Sequence, residues 1–387
     1  MADQFKKSVQ SKSGSASSLL NFRLCVQLLF LIITLFVGIQ FYLFVEQLES
    51  GAVPTIERPP GVEAFLPISA LVSLKYLLFT GIINNIHPAA LILFLIIVST
   101  ALMFKKGFCS WICPFGLLSD YLTKLNLLLF KKQPNLPKWV DLPLRGIKYI
   151  IAGFFLWSIF FKMPVDALGQ FIQSPYNTFA DIKMLELFTK ISNRSLWVIT
   201  ILLIFSVIIK NFWCRYLCPY GALLGVFSFF SMGKIRRNDH YCTNCGACEN
   251  VCPGIIPIRK KMKINSLECS ACLRCVDVCP QKNAIGFSLF SGKVPMNKKR
   301  IALVLIVFFI SGITAAKLTG HWQNDVPVQA YQQHILRSQM PQMPRGNNAA
   351  GMKMEPEKMK KMIEMMQKMQ ERKSNQNKGL THENQNG

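Results

Sequence analysis

Twelve of the thirteen cysteines in this 387-residue chain stand at spacings that suit metal or cluster ligation. Residues 242–253 read CTNCGACENVCP and residues 269–280 read CSACLRCVDVCP, so both are C-x2-C-x2-C-x3-C-P runs. Three cysteines at this spacing wrap a loop around one centre, and the backbone N–H groups of the loop can point at the sulfurs. Zinc sites also use the C-x2-C spacing. Zinc does not explain two identical four-cysteine runs that each end in Cys-Pro.

The two runs closely resemble the bacterial two-cluster ferredoxins, in which the fourth cysteine of each run binds the other cluster. The resemblance covers residues 242–280 and implies two [4Fe–4S] clusters, close enough for electrons to pass between them. It implies that the first cluster is bound by Cys242, Cys245, Cys248 and Cys279. It implies that the second cluster is bound by Cys269, Cys272, Cys275 and Cys252.

A shorter cysteine motif occurs twice, earlier in the chain. The stretches GFCSWICPFGLL, starting at Gly107, and FWCRYLCPYGALL, starting at Phe212, each contain C-x3-C-P, an aromatic residue and glycine. Each follows a hydrophobic segment, which indicates an internal duplication. Because residues four apart share a helix face, the motifs predict one site for a metal, a further cluster or a redox-active dithiol, formed by Cys109, Cys113, Cys214 and Cys218. The alternative is that each motif only ends its helix and packs against the ferredoxin module.

Hydrophobic segments must position these cysteines, because 51% of the chain is hydrophobic and the apolar residues come in blocks. A membrane-spanning helix needs about 20 apolar residues. Five segments approach this length: residues 22–45, 86–104, 147–161, 196–213 and 301–317. The remaining cysteine, Cys25, lies in the first of them as a small core or lipid-facing residue. Residues 66–83 are apolar but carry Lys75, and we interpret them as a re-entrant or interfacial helix.

The distribution of charge predicts how the segments cross the membrane. The formal net charge is +24, and Lys and Arg crowd the cytoplasmic loops of membrane proteins. Residues 105–148 carry eight Lys and Arg against two acids, and residues 210–300 carry fifteen against four. This predicts five crossings, with the N-terminus and all the cysteine motifs in the cytoplasm and the C-terminus outside. Membrane lipid is an expected partner, and nucleic acid is not, because the sequence contains no base-reading module.

The predicted fold class is mostly α: a polytopic membrane helix bundle of about five spans with an inserted small α+β ferredoxin module of the bacterial 2[4Fe–4S] type. The predicted divisions are a flexible cytoplasmic N-terminus, a four-span membrane domain with both C-x3-C-P motifs, the cytoplasmic ferredoxin module, a fifth span and a polar, Met-rich periplasmic tail. Their bounds are 1–21, 22–232, 233–292, 300–320 and 321–387.

The spans, the paired C-x3-C-P-[FY]-G motifs and the two ferredoxin runs together resemble the membrane ferredoxins of the NapH, NosR and CcoG kind, over residues 20–320. The NapH-like quinol dehydrogenase subunits are nearest in architecture. The resemblance implies a multi-pass protein of a prokaryotic inner membrane that relays electrons between quinol and a partner redox protein, as an oxidoreductase subunit of a respiratory complex. It also implies other redox subunits as partners, among them a periplasmic cytochrome c or iron–sulfur protein.

Oxidation of a quinol needs a proton acceptor beside an apolar pocket. Four residues on the predicted outer side are candidates for this site: His87, Glu63, Asp166 and Asp181. His87 directly precedes Pro88 at a predicted helix start, so it is also a candidate haem ligand or helix cap.

The Met-rich tail leaves two other functions open. Four methionines recur there at helical spacing: Met359, Met362, Met366 and Met369. The spacing is typical of an amphipathic helix, but clustered thioethers also favour Cu(I). A cupric or other metal reductase in copper handling is therefore one alternative function. A redox-sensing assembly or regulatory factor is the other.

Overall fold

The computed structural model describes residues 13–52, 54–130 and 136–339. These residues are mostly helical, which confirms the predicted fold class. The α-helices are α1 Ser13–Glu49, α2 Pro67–Thr80, α3 Pro88–Phe104, α4 Gly107–Trp111, α5 Pro114–Phe130, α6 Lys138–Trp157, α7 Val165–Gln173, α8 Pro175–Thr178, α9 Ala180–Thr189, α10 Asn193–Ile208, α11 Pro219–Phe229, α12 Ala247–Asn250, α13 Arg274–Asp277, α14 Lys298–Leu318 and α15 Val328–Gln339. The strands are β1 Lys234–Arg237, β2 Ile285–Leu289 and β3 Val294–Met296. Segments Ser158–Lys162 and Trp213–Leu217 are π-helical, and Pro60–Phe65 and Phe290–Gly292 are 3-10 helical.

Several helices indicate a membrane protein. Within the described residues, three segments are long and apolar enough to cross a membrane: Phe22–Glu49, Trp139–Lys162 and Lys298–Leu318. Helices α9 and α10 meet the same requirement together but bend by 79°, as a broken span or a re-entrant loop does. The predicted span 86–104 appears as the 17-residue helix α3, slightly shorter than predicted. The structure therefore offers three or four candidate spans, and five crossings with a defined orientation stay a prediction.

The predicted re-entrant segment 66–83 contains helix α2, which has 14 residues and ends at the left-handed Gly81. Its buried Lys75 donates hydrogen bonds to the carbonyl oxygen of Ile159, at 3.0 Å, and to that of Met163. These carbonyls lie in and just after the π-helical end of α6, where backbone oxygens lack helical partners. The lysine is thus satisfied inside the protein, as a charged residue in an apolar helix must be.

Helix α3 lies at the centre of the helical bundle. It is apolar along its length and packs against α2, α11 and α14. The contact with α14 is close, because a Cβ atom on Gly312 would lie 2.5 Å from Ile96 Cδ1. His87 precedes this 17-residue helix and the first C-x3-C-P motif follows it, so the two are separated by about 25 Å of helix.

The ferredoxin-like region docks on the end of α3. Its three strands form an antiparallel sheet in the order β1-β2-β3. The N–H of Gly233, just before β1, donates to the carbonyl of Met103 at 3.0 Å. On the buried face of the sheet, the ring of Phe287 lies 6.3 Å from that of Phe104 in α3. The sheet therefore connects the cysteine loops to the helical bundle.

The chain divides into two compact units, residues 1–45 with 55–326 and residues 46–54 with 327–387. The first unit contains all of the cysteines and all four quinol-site candidates. In the second unit, Gln332 of α15 donates a hydrogen bond to the carbonyl of Ala52 at 3.3 Å. The predicted Met-rich helix of the tail lies outside the described residues.

Candidate metal centres

Both ferredoxin-type runs share one backbone conformation. The residues on either side of the second cysteine have positive φ in each run: 53° and 78° at Asn244 and Gly246, 48° and 59° at Ala271 and Leu273. Such conformations cost about 1–3 kcal/mol for residues other than glycine. Right- and left-handed residues in succession turn their N–H groups toward one concave side, which binds anions. The repeated conformation therefore fits a negatively charged group inside each loop.

Each run encloses a cavity together with the last cysteine of the other run. The distal cavity is lined by Cys242, Cys245, Cys248 and Cys279. The proximal cavity is lined by Cys252, Cys269, Cys272 and Cys275. In the described part of the chain, no three His, Cys, Asp or Glu residues converge closely enough to hold a single metal ion. Four thiols spread around a cavity fit a multi-iron cluster better than they fit zinc.

The two cavities differ in exposure. Cys245 of the distal cavity is exposed. Three cysteines of the proximal cavity are buried: Cys269, Cys272 and Cys275. Burial raises the pKa of the Cys269 thiol to about 11. In the distal cavity, a backbone N–H and the Arg237 guanidinium lower the pKa of Cys242 instead. The distal cavity thus faces solvent, and the proximal cavity faces the protein interior.

The cysteines of the two C-x3-C-P motifs occupy matching positions, and we call them the membrane cysteines: Cys109, Cys113, Cys214 and Cys218. The first of each pair lies in a short turn, α4 or the π-helical segment Trp213–Leu217. The second directly precedes the proline that begins the next helix, α5 or α11. Cys218 Sγ accepts a hydrogen bond from the Gly221 N–H at 3.3 Å. A helix N-terminus favours negative charge, and backbone N–H groups there act against the rise in pKa that burial causes at both second cysteines.

The two motifs pack against each other. Phe108 of the first and Tyr220 of the second have ring centroids 6.3 Å apart. Burial raises the pKa of all four membrane-cysteine thiols, and nearby membrane cysteines raise it further in three of them. The structure therefore brings the four cysteines into one electrostatically coupled group.

The first motif and a lysine just before the second motif contact the loops that line the proximal cavity. Ser110 Oγ donates to the carbonyl of Ser270 at 2.6 Å, and Trp111 Nε1 donates to that of Ala271 at 3.1 Å. Lys210, two residues before the second motif, donates from Nζ to the carbonyl oxygen of Cys252 at 3.3 Å. The membrane cysteines and the proximal cavity are therefore direct neighbours.

Buried positive charge collects at this junction. Lys105, Lys106 and Lys148 are 0%, 5% and 0% exposed. Glu268 accepts hydrogen bonds from Lys106 at 3.1 Å and from Lys148 at 2.7 Å. Lys105 donates to the carbonyl of Ser228 at 2.9 Å, and burial lowers its pKa to about 8, which leaves it charged at pH 7. Two ammonium groups thus share one carboxylate, and the third, that of Lys105, is bound by a backbone carbonyl oxygen.

Three of the four quinol-site candidates meet in a buried network at the start of α3. Glu63 accepts hydrogen bonds from Arg58 Nη1 and from the Ala90 N–H, both at 2.9 Å. Asp181 Oδ2 accepts from Arg58 Nε at 2.7 Å. His87 Nδ1 lies 3.2 Å from Glu63 Oε1. Glu63, His87 and Asp181 are each at most 1% exposed.

Both ring nitrogens of His87 lie against protein groups. Nε2 lies 2.7 Å from the carbonyl oxygen of Asn177, which can only accept, so Nε2 carries a hydrogen. Nδ1 lies 3.2 Å from Glu63 Oε1. Burial acts to raise the pKa of Glu63, but Arg58 and His87 hold it below its usual value. Because both ring nitrogens face protein groups, neither is open to a haem in this conformation.

The fourth candidate, Asp166, is exposed and takes no part in this network. The network itself lies at the opposite end of α3 from the membrane cysteines, about 25 Å away along the helix. The proton-accepting candidates and the cysteine group are thus two separate sites.

Comparison with known proteins agrees with the arrangement of the cysteines. A family described as "4Fe-4S binding domain" matches residues 86–137 and 194–238, with one C-x3-C-P motif in each. A family described as "4Fe-4S dicluster domain" matches residues 234–285. YccM of Escherichia coli (strain K12), whose name provisionally assigns it to electron transport, is 41% identical over 326 residues, which are 82% of this chain and 90% of YccM. The chain belongs to the membrane ferredoxin family of YccM, NapH and NosR.

Other relatives match this membrane ferredoxin over shorter stretches. The ferredoxin-type protein NapH of Haemophilus influenzae is 28% identical over 171 residues, 41% of this chain and 51% of NapH. The regulatory protein NosR of Stutzerimonas stutzeri is 29% identical over 170 residues, 43% of this chain and 22% of NosR. No solved structure matches. Family membership makes the chain an iron–sulfur electron-transport protein that works with redox partners.

Several important residues of the membrane ferredoxin have no motif and were not predicted. Arg58 joins the nearby Glu63 to the distant Asp181, and Glu268 joins two lysines that are far away in the sequence. The sequence alone could have identified Lys148. It is a lone lysine at the start of an apolar segment, where a charge needs a partner. Its partner, Glu268, directly precedes the second cysteine run but carries no signal of its own.

Proposed function

We propose that this membrane ferredoxin relays electrons between membrane quinol and a partner redox protein, through [4Fe–4S] clusters in the distal and proximal cavities. The distal cluster would be bound by Cys242, Cys245, Cys248 and Cys279. The proximal cluster would be bound by Cys252, Cys269, Cys272 and Cys275. Such clusters supply one-electron redox chemistry when bound. The observation that carries the proposal is the pair of four-cysteine cavities, each completed by the last cysteine of the other run.

The two cavities have different surroundings, so we expect the two clusters to have different reduction potentials. Burial, hydrogen bonds and nearby charge are the means by which a protein tunes such a cluster. Lys105 and Lys210 interact electrostatically with cysteines of the proximal cavity, and positive charge favours the reduced, more negative state. The distal cavity is more exposed. These differences give the chain a defined order of redox centres between the membrane helices and solvent.

The positive charge around the distal cavity is evidence that the partner protein has an acidic face. Arg237 and Arg259 line this cavity, and Lys260 and Lys261 are exposed beside it. A basic rim around a solvent-facing redox centre raises the rate of encounter with an acidic protein. We place this rim in the cytoplasm of a prokaryote, with the helices in the inner membrane, because its positive charge follows the usual bias of cytoplasmic segments.

For the membrane donor we propose quinol, with the Glu63–His87 pair as its proton acceptor. The pair is buried and lies at the start of the apolar helix α3. Because about 25 Å of helix separates it from the membrane cysteines, a carrier in another subunit would have to bridge this gap. We therefore also propose that the chain is one subunit of a respiratory complex.

The test uses the full chain, purified without oxygen and reduced first with a soluble quinol analogue and then with dithionite. Electron paramagnetic resonance should show two interacting [4Fe–4S] signals. Cys245→Ser should remove the distal signal, and Cys272→Ser the proximal one. Cys25→Ser is the matched control, because Cys25 is an exposed cysteine outside every motif, and it should behave like the native chain.

The outcomes separate the parts of the proposal. If dithionite produces no [4Fe–4S] signals in the native chain, the two-cluster relay is wrong. If dithionite reduces both clusters and quinol reduces neither, even with the other membrane subunits present, quinol is not the donor.

A further inference from the structure

We propose that the first C-x3-C-P motif, and not the second, is the electron bridge between the membrane cysteines and the proximal cavity. The bridge is formed by the hydrogen bonds of Ser110 and Trp111, the first two residues between the cysteines of this motif. This assignment rests on the proposed relay and on the iron–sulfur centre that the family description implies for the membrane cysteines. It names the side chains that connect these centres.

The two bridging side chains bind consecutive carbonyl groups of the loop that lines the proximal cavity. Ser110 Oγ donates to the carbonyl of Ser270 at 2.6 Å, and Trp111 Nε1 donates to that of Ala271 at 3.1 Å. Ser270 and Ala271 are the two residues between the first two cysteines of the second run, and Ser110 directly follows Cys109. A single hydrogen bond therefore joins the neighbour of a membrane cysteine to the neighbour of a proximal-cavity cysteine.

The matching residues of the second motif, Arg215 and Tyr216, bind a different part of the molecule. Both donate to Asp141, near the start of helix α6, from Arg215 Nη2 at 2.9 Å and from the Tyr216 hydroxyl at 2.6 Å. The two copies thus keep matching cysteines but differ in what the residues between them bind. The first copy contacts the ferredoxin-like region, and the second is fixed to the helical bundle.

Trp111 also helps to orient the loop of the proximal cavity. Ala271 has a φ of 48°, a conformation that is costly for a residue other than glycine. Burial raises the pKa of the Cys269 thiol to about 11, and the backbone N–H of Ala271 acts against this rise, so the N–H faces the sulfur. The hydrogen bond from Trp111 holds the carbonyl of the same residue. Trp111 therefore stabilises a backbone conformation that directs an N–H at a cysteine of this cavity.

Both bridging side chains are buried. Electronic coupling falls more steeply across a gap than through covalent and hydrogen bonds. The low dielectric of a buried site strengthens its hydrogen bonds, and little water has to reorganise when charge moves there. In the transfer step, one electron passes from a reduced centre at the membrane cysteines to the oxidised proximal cluster. No bond breaks, and neither Ser110 nor Trp111 is oxidised.

Lys210 offers an alternative route. Its Nζ donates to the carbonyl oxygen of Cys252 at 3.3 Å, which is longer than the Ser110 bond. Lys210 also precedes Cys214 by four residues and reaches the loop through a long side chain. This route is therefore longer than the one through the first motif, and Lys210→Met tests it.

The test measures internal electron transfer in the anaerobically purified full chain. A laser flash photoreduces a soluble deazaflavin, which donates an electron at the exposed distal cavity and needs no quinol. Samples frozen at successive times are examined by electron paramagnetic resonance, and the signal of the membrane cysteines is the one that Cys109→Ser removes. In the double variant Ser110→Ala, Trp111→Phe, this signal should appear several-fold more slowly than in the native chain. The distal and proximal signals should appear at native rates.

Tyr216→Phe is the matched control, because it removes a buried hydrogen bond at the same position of the second motif. It should keep the native rate. The reduction potentials and the iron content of the double variant should also be native, so that the slower rate reports on the coupling between the centres. If the double variant loses iron, Ser110→Ala and Trp111→Phe are measured separately, and each should show a smaller delay.

Four results would overturn the bridge: variants at the native rate, a slower rate with shifted potentials, slower transfer in Lys210→Met but not in the double variant, or no native signal that depends on Cys109. Failure of the proposed function gives a different pattern. If quinol reduces nothing but the flash experiment gives the expected delay, quinol is not the donor and the bridge stands. If the signals that depend on Cys245 and Cys272 are missing, the relay and the bridge are both wrong.

Discussion

Gly116 and Gly221 stand at the same place in the two C-x3-C-P motifs, but their surroundings differ. A Cβ atom on Gly116 would lie 1.9 Å from the carbonyl oxygen of Cys109, whereas on Gly221 the nearest atoms would be 3.6 Å away. We expect Gly116→Ala to displace the Cys109 turn and lower stability by about 1–3 kcal/mol, as overpacking does. The measurement is thermal unfolding in detergent, together with iron content.

Gly221→Ala is the matched control for this prediction, and it should leave both the melting temperature and the iron content unchanged. Equal losses in the two variants would mean that the motif requires glycine for its backbone freedom and that the contact with Cys109 is not the reason.

The network at the start of α3 gives a second prediction at this scale. Glu63→Gln removes the carboxylate that Arg58 Nη1 and His87 Nδ1 both face, so we expect a loss of about 3–5 kcal/mol, as for other broken buried ion pairs. Asp166→Asn, at an exposed position outside the network, should change stability by less than about 0.5 kcal/mol. Chemical unfolding in detergent measures both variants.

The pH dependence of this network follows from the lowered pKa of Glu63. A carboxyl whose pKa is lowered by folding adds stability above its usual value of 4.5 and loses it as the pH falls through the lower, folded value. The difference between the native protein and Glu63→Gln should therefore stay constant from about pH 7 to 5 and narrow only below about pH 4. A difference that narrows near neutral pH would contradict an ionised Glu63.

The sequence predicts single residues well only where spacing carries information. The positions of the eight ferredoxin-type cysteines follow from two short runs, and the structure groups them around two cavities. The proximity of Glu63, His87 and Asp181 was not predictable, because three distant segments supply them and only the fold brings these together. Asp166 was a candidate for the same reason as the others, and the structure leaves it exposed.

At the scale of helices, the contact between α3 and α14 contains one position where a larger side chain does not fit. Gly312 lies against Ile96, with space for no further atom. We expect Gly312→Leu to separate the two helices and to cost about 1–3 kcal/mol. Gly38→Leu is the control, because nothing lies within 4 Å of a Cβ atom there, and it should leave the melting temperature within a degree or two, about 0.5 kcal/mol. Similar losses in both would point to a general effect of leucine in apolar helices.

The lengths of the apolar segments predicted the positions of the helices in the sequence better than they predicted bends in the helices. The predicted segments 22–45, 147–161 and 301–317 all fall within the helices that are long enough to span a membrane. The bend between α9 and α10 was not predicted, because it depends on the Ser192 cap and on tertiary contacts. Composition averaged over a window of about 20 residues cannot register such a break.

For the molecule as a whole, Glu268 links the ferredoxin-like region to the helical bundle. Glu268→Gln leaves buried Lys106 and Lys148 without a carboxylate, so we expect a loss of about 3–5 kcal/mol and faster proteolysis between the two regions. Glu249→Gln removes an ion pair with the exposed Arg259 and should cost no more than about 1 kcal/mol. Thermal unfolding and limited proteolysis measure both. Equal effects would show that Glu268 does not join the two regions.

The overall organisation was the easiest part to predict in outline and the hardest in detail. Hydrophobic blocks and cysteine runs are local features, and they predicted a helical membrane protein with a ferredoxin module. The junction between these parts depends on pairs such as Lys148–Glu268 and Trp111–Ala271, which are separated by 120 and 160 residues. No local pattern encodes such pairs.

The exchange of the last cysteines between the two runs has a consequence for biosynthesis. A nascent chain that has reached residue 268 contains three cysteines of the distal cavity and one of the proximal cavity, so it completes neither. The proximal cavity has all four of its cysteines once Cys275 has been added, and the distal cavity only once Cys279 has been added. Iron and sulfur therefore have to reach a module whose synthesis is finished, and a ribosome that stalls between the runs leaves a product with no complete centre.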